Sequence, residues 1–157
     1  MATSTVPMML STLDGLFTSA FGEVQVLYGD SGREAERQNL VLSGNVDFQD
    51  ESWAELGARS RREKYGLDGF LQCRDPGDNA QQSLEAAWIL AASVENVLRQ
   101  LMQPGDQTLF SAIAVTFPGQ TVQIEDVEFK PKNGRSYPTD EGTAYQIDFM
   151  VDVTARI

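Results

Sequence analysis

Residues 144–157, AYQIDFMVDVTARI, decide the fold, because they keep a period of two almost throughout. Tyr145, Ile147, Phe149, Val151, Val153 and Ile157 fall on one side, and Asp148, Asp152 and Arg156 on the other. A β-strand sends alternate side chains to opposite faces, so this segment is a strand with one apolar and one polar face. Such a sheet needs a layer to cover it, and two segments can supply one. In 75–102, DPGDNAQQSLEAAWILAASVENVLRQLM, Leu84, Ala87, Trp88, Ala91, Val94, Leu98 and Leu101 recur at three- and four-residue steps, the stripe of an amphipathic helix with Trp88 in the core. Asp78 with Gln81 forms a capping pair, Asp75–Pro76 offers an earlier start, and Pro104–Gly105 ends the helix. In 8–21, MMLSTLDGLFTSAF, the spacing of Met9, Leu13, Leu16, Phe17, Ala20 and Phe21 predicts a second helix, stopped by Gly22.

The remaining segments fill out the sheet. Val24, Val26 and Tyr28 alternate in EVQVLYG, and NLVLSG (39–44) is a short apolar run. From Lys64 onward, Tyr65, Leu67, Gly69, Leu71 and Cys73 alternate with Lys64, Asp68, Gln72 and Arg74, while Phe70 is the one large apolar residue on the second face. Residues 111–129 (SAIAVTF, then QTVQIEDVEF) read as strand, KPKNGRSYPTDEG (130–142) as a loop, and 45–55 as acidic and irregular apart from Phe48 and Trp53. The expectation is an α+β fold in the order α-β-β-β-α-β-β, two helices on a mainly antiparallel or mixed sheet. It forms a single domain, residues 1–157, with residues 1–7 as a flexible arm.

Composition narrows the chemistry. The chain has 23 acidic and 12 basic residues, a formal net charge of −11, and no histidine. A surface of that sign repels phosphate, which argues against sequence-specific nucleic-acid binding. One cysteine, Cys73, cannot form an internal disulfide or a cysteine-based zinc site. The first basic residue is Arg33, so no charged start to a signal peptide is expected, and the longest apolar run, AAWILAA (86–92), is far short of a membrane span. GDSG at 29–32 matches the tetrapeptide around a protease nucleophile, but Ser31 has no histidine to take its proton and the four residues are ordinary turn formers. The acidic groups Asp30/Glu34/Glu36, Asp47/Asp50/Glu51 and Glu125/Asp126/Glu128 read as solvated surface, and no glycine-rich phosphate loop is present. No residues carry an enzyme, a metal or a cofactor.

One stretch stands apart. SWAELGARSRREKYGLDGFL (52–71) places Arg59, Arg61, Arg62 and Lys64, a third of the positive charge, within six positions of an acidic chain. The N-terminal helix, VQVLYGD, this stretch with its ordered Trp53, Leu56–Gly57, then Arg59, Arg62 and Glu63, the alanine-rich helix SLEAAWILAASVENVLRQ and a strand ending in TARI together resemble the tail terminator proteins of long-tailed, siphovirus-type bacteriophages, particularly those of phages infecting actinobacteria. The resemblance runs from about Leu10 to Ile157.

The resemblance implies a small α+β subunit without enzyme activity or cofactor. Such a subunit assembles in the host cytoplasm as a ring, usually a hexamer, on the head-proximal end of the virion's tail. It ends polymerisation of the tail-tube protein and offers the joining surface to the neck or head-completion protein. A ring joins two different patches, and an acidic subunit needs opposite charge where its copies meet, so Arg59, Arg61, Arg62 and Lys64 are the expected interface. The competing reading is a solvated loop that guards a strand edge, and a DNA contact ranks last. Six copies at −11 would bring 66 negative charges to the ring, which keeps double-stranded DNA from sticking as it passes. The alternatives are another neck ring, such as a head-completion or head-to-tail joining protein, or a small-molecule or metal-binding module.

Overall fold

A computed structural model of the chain describes residues 4–29, 37–53, 61–75, 79–140 and 142–157, with the backbone alone for residues 50–53. In chain order the elements are α1 (Val6–Ala20), β1 (Gln25–Tyr28), β2 (Gln38–Trp53), β3 (Arg61–Asp75), α2 (Ala80–Leu101), α3 (Thr108–Thr116), β4 (Gln123–Thr139) and β5 (Gly142–Arg156). The five strands form one mixed sheet in the order β1-β2-β3-β5-β4, in which only β1 and β2 run parallel. Helix α1 lies over β1 and β2, α2 over β3, β5 and β4, and α3 packs beside α1. The fold is therefore α+β, with helices on one face of the sheet.

The alternation of β5 and β3 organises the core as expected. Ile147, Phe149, Val151 and Val153 of β5 are buried with Tyr65, Leu67, Leu71 and Cys73 of β3, and Leu40 and Leu42 of β2 extend the same face. Met9, Leu13 and Phe17 of α1 and Ala87, Val94 and Leu98 of α2 close over them. At ~1.5–3 kcal/mol for each fully buried large apolar side chain, this layer is the main stabilising term. Gly69 is what lets Phe149 in: a Cβ there would lie 2.6 Å from the Phe149 ring and 2.6 Å from the Val41 carbonyl oxygen.

Several expected elements differ. SAIAVTF is helical rather than extended and belongs to α3. Over seven residues helix and strand spacings both fit, and Leu109, Ala112 and Ile113 turn inward at helical steps while Val115 is 82% exposed. Asp106 starts the helix by accepting the Thr108 N–H at 2.8 Å. The irregular stretch at 45–53 is the second half of β2, where register shifts at Leu42/Val46 and Phe48/Asp50 break the period of two; Gly44, at φ 80°, sits in the first. The expected loop 130–142 is mostly the far half of β4, paired with β5 out to Thr139. It is polar because it is a sheet edge, and Pro131, Pro138, Lys130 and Lys132 suit an edge that must not recruit further strands.

The helix ends differ as well. Asn79 caps α2 by accepting the Gln82 N–H at 3.3 Å; Asp78 and Pro76 lie outside the described residues. The helix closes at Leu101, three residues before Pro104. Of the expected arm at 1–7, residues 1–3 lie outside the described residues, while Thr5 is fully buried and Val6 begins α1.

Candidate assembly surface

The basic cluster is not one patch. Alternation along β3 puts Arg61 on the helix-covered side with Glu63 and Tyr65, and puts Arg62 and Lys64 on the opposite side. Arg59 lies outside the described residues, as does Ser31 of GDSG. Arg61 donates to Glu63 Oε2 at 3.4 Å. Glu63 is itself fully buried: its other oxygen accepts the Thr5 N–H at 2.7 Å and the Thr5 hydroxyl, and Thr5 Oγ1 lies 2.8 Å from the Tyr65 hydroxyl. This carboxylate stands at the N-terminal end of α1, where a helix favours negative charge, and ties the helix to β3. Burial raises the Tyr65 phenol well above its usual range, so it stays protonated. Arg61 is thus a structural partner of a buried acid.

Arg62 behaves differently. Its guanidinium lies 2.7 Å from Glu125 of β4, and Arg156, its cross-strand neighbour on β5, lies 3.6 Å from the same carboxylate. Lys64 is exposed beside them and forms no ion pair among the described residues. Arg62 and Arg156 therefore share Glu125, while Lys64 lies in the row of Thr154 and of Asp126, which is exposed at the sheet edge. Arg156 and Glu125 were not legible as part of this group, since neither the β3–β5 register nor the β4 bulge at Ile124/Asp126 is written in local sequence.

Further along the polar face, two carboxylates are matched by lysines. Asp152 is 6% exposed and accepts from Lys130 at 2.6 Å and Gln49 at 3.2 Å, and Lys132 donates to Asp68 at 3.2 Å. The bond to Asp152 raises the Lys130 pKa.

The helical layer has the opposite character. Trp88, expected in the core, is 43% exposed, with Leu84 at 39% and Ile89 at 68% beside it on α2. The buried line of α2 runs instead through Ser83, Ala87, Leu90, Val94, Leu98 and Leu101. Helix α3 has no charged residue and buries only Leu109 fully, leaving Phe110 67% exposed. An apolar helix is normally covered on all sides, whereas here Phe110 and Val115 of α3 stand in water.

Two open hollows flank α2. One, of about 410 Å³, is lined by Phe21, Val24, Ile89 and Leu90; the other, of about 230 Å³, by Glu23, Arg37, Cys73 and Arg74. Burial pushes the Cys73 thiol up to about 11, so at neutral pH it is no nucleophile. Among the described residues no group of three or more Asp, Glu or Cys could hold a metal ion, and no helix is long and apolar enough to cross a membrane. Asp30, Glu34 and Glu36, and the side chains of Asp50, Glu51 and Trp53, lie outside what is described. Compared with known proteins, the chain matches no family model and is detectably similar to no curated protein.

Proposed function

We propose that this chain is a structural subunit of a long-tailed phage, a tail terminator that assembles as a ring on the head-proximal end of the tail tube. The ring stops tube growth and presents the surface to which the capsid neck joins. The observation that carries the reading is the helical layer: α3 is uncharged and α2 exposes Leu84, Trp88 and Ile89, side chains that a partner must cover. A cationic end of the sheet, on a different face, supports a ring over a two-fold dimer, because a ring joins unlike patches. The edge of β4, guarded by prolines and lysines, favours contacts made by side chains rather than by adding strands.

The test is electron microscopy and native mass spectrometry of the purified full chain. Closed rings, six subunits in the main species, are expected. A chain that stays monomeric up to ~100 µM overturns the proposal, since specific complexes of this kind hold at far lower concentrations. Thermal melts with magnesium, manganese or nucleotides address the binding-module reading. A saturable rise in melting temperature would favour it.

A further inference from the structure

We infer that the outer face of α2 is the docking surface for a second copy of this chain, and that the part which docks on it is the cationic end of the sheet formed by Arg62, Lys64 and Arg156. The inference rests on the ring reading above and names its two surfaces. Charge is the first argument. Along α2 the only cation is Arg99, already held 2.6 Å from Glu95, so the outer face around Trp88 is apolar and carries one unbalanced charge, Glu85. The bond that Glu85 accepts there is from neutral Gln81, at 2.9 Å. The other surface has the reverse imbalance among its described side chains: Arg62 and Arg156 share Glu125, and Lys64 stands exposed beside them with Asp126 at the margin.

The chemistry of the groups is the second argument. An exposed indole with a carboxylate three residues before it receives a guanidinium or ammonium well: the ring face attracts the cation and the carboxylate binds it. Tryptophan and arginine are also the residues that dominate the energetics of protein contacts. Neither surface complements itself. Two α2 faces would bring Glu85 near Glu85, and two sheet ends would bring Arg62 and Lys64 together, so the contact joins unlike patches, the kind of contact from which a ring is built.

A mixing experiment on the full chain tests this. One variant, Arg62→Glu with Lys64→Glu, spoils the sheet end; the other, Glu85→Lys with Trp88→Ala, spoils the α2 face. Circular dichroism confirms folding, and Lys64→Glu and Glu85→Lys alone serve as milder forms if either double variant fails to fold. Each variant alone is expected to lose roughly a hundredfold or more in association and to sediment as a monomer. Mixed at equal amounts they are expected to form a 1:1 dimer and nothing larger, because each contributes one intact surface. A mixture that stays monomeric overturns the inference. If the wild type forms rings and both variants also do so normally, these surfaces are not the contact, while the ring proposal stands. If the wild type itself never assembles, that proposal fails and the inference falls with it.

Discussion

Two adjacent arginines in a basic run are expected to behave in opposite ways, and the difference can be worked from the buried acid that follows them. Glu63 is fully buried and accepts from the Thr5 N–H, the Thr5 hydroxyl and Arg61. Glu63→Ala leaves the Thr5 N–H without a partner, which costs about 1–3 kcal/mol. It also deletes the Cγ methylene from the interior, at about 0.8 kcal/mol. Releasing a carboxylate from desolvation returns part of that, so the net loss is about 1–3 kcal/mol. Arg61→Glu replaces the cation 3.4 Å from the buried carboxylate with a second negative charge and should fall in the same range. Arg62→Glu breaks a pair whose arginine side chain is 48% exposed, and should cost no more than about 1 kcal/mol. Urea denaturation followed by circular dichroism, at one fixed protomer concentration, measures all three. Equal midpoints for the Arg61 and Arg62 variants, or a Glu63→Ala variant within about 0.5 kcal/mol of wild type, would refute the reasoning.

Gly69→Ala should destabilise by about 1–3 kcal/mol, because its Cβ would press on the Val41 carbonyl and the Phe149 ring, neither free to retreat; an unchanged melting curve would show that the sheet yields there. Cys73 should resist maleimide in the native state at pH 7.5 and react on unfolding, as a 2% exposed thiol with a raised pKa must. Its pKa is raised on folding, so its contribution to stability is complete below the unfolded value near 8.5 and is lost between there and about 11. Stability should therefore fall in that window by up to ~1.4 kcal/mol per pH unit, and a Cys73→Ser chain should lack that part of the decline.

The sheet was legible where period two ran unbroken, as in β5 and in β3 from Lys64 to Arg74. It was hidden where bulges interrupt it, as in β2 after Gly44, and where an edge strand is wet on both sides, as in β4 beyond Lys130. Helix α3 was lost to a run too short to separate the two periods. On α2 the helix itself was plain, but adjacent apolar columns are equivalent in sequence. The core chose the one through Ala87 and Leu90 and left Leu84 and Trp88 outside. The basic run was visible as composition, yet strand geometry divides it. Arg61 supports a buried acid, and among the described residues of the run Arg62 and Lys64 remain on the surface with Arg156, a residue 94 positions later in the chain than Arg62.

The central claim is that this chain ends tail tubes, and tube length measures it most directly. Purified chain is added to polymerising tail-tube protein encoded in the same genome, and tubes are sized by negative-stain electron microscopy. The account predicts that a few rings per hundred tube subunits shorten the tubes and leave a ring on one end of each, and that the Glu85→Lys, Trp88→Ala variant leaves lengths unchanged. Tubes of unaltered length with saturating wild-type rings would contradict it.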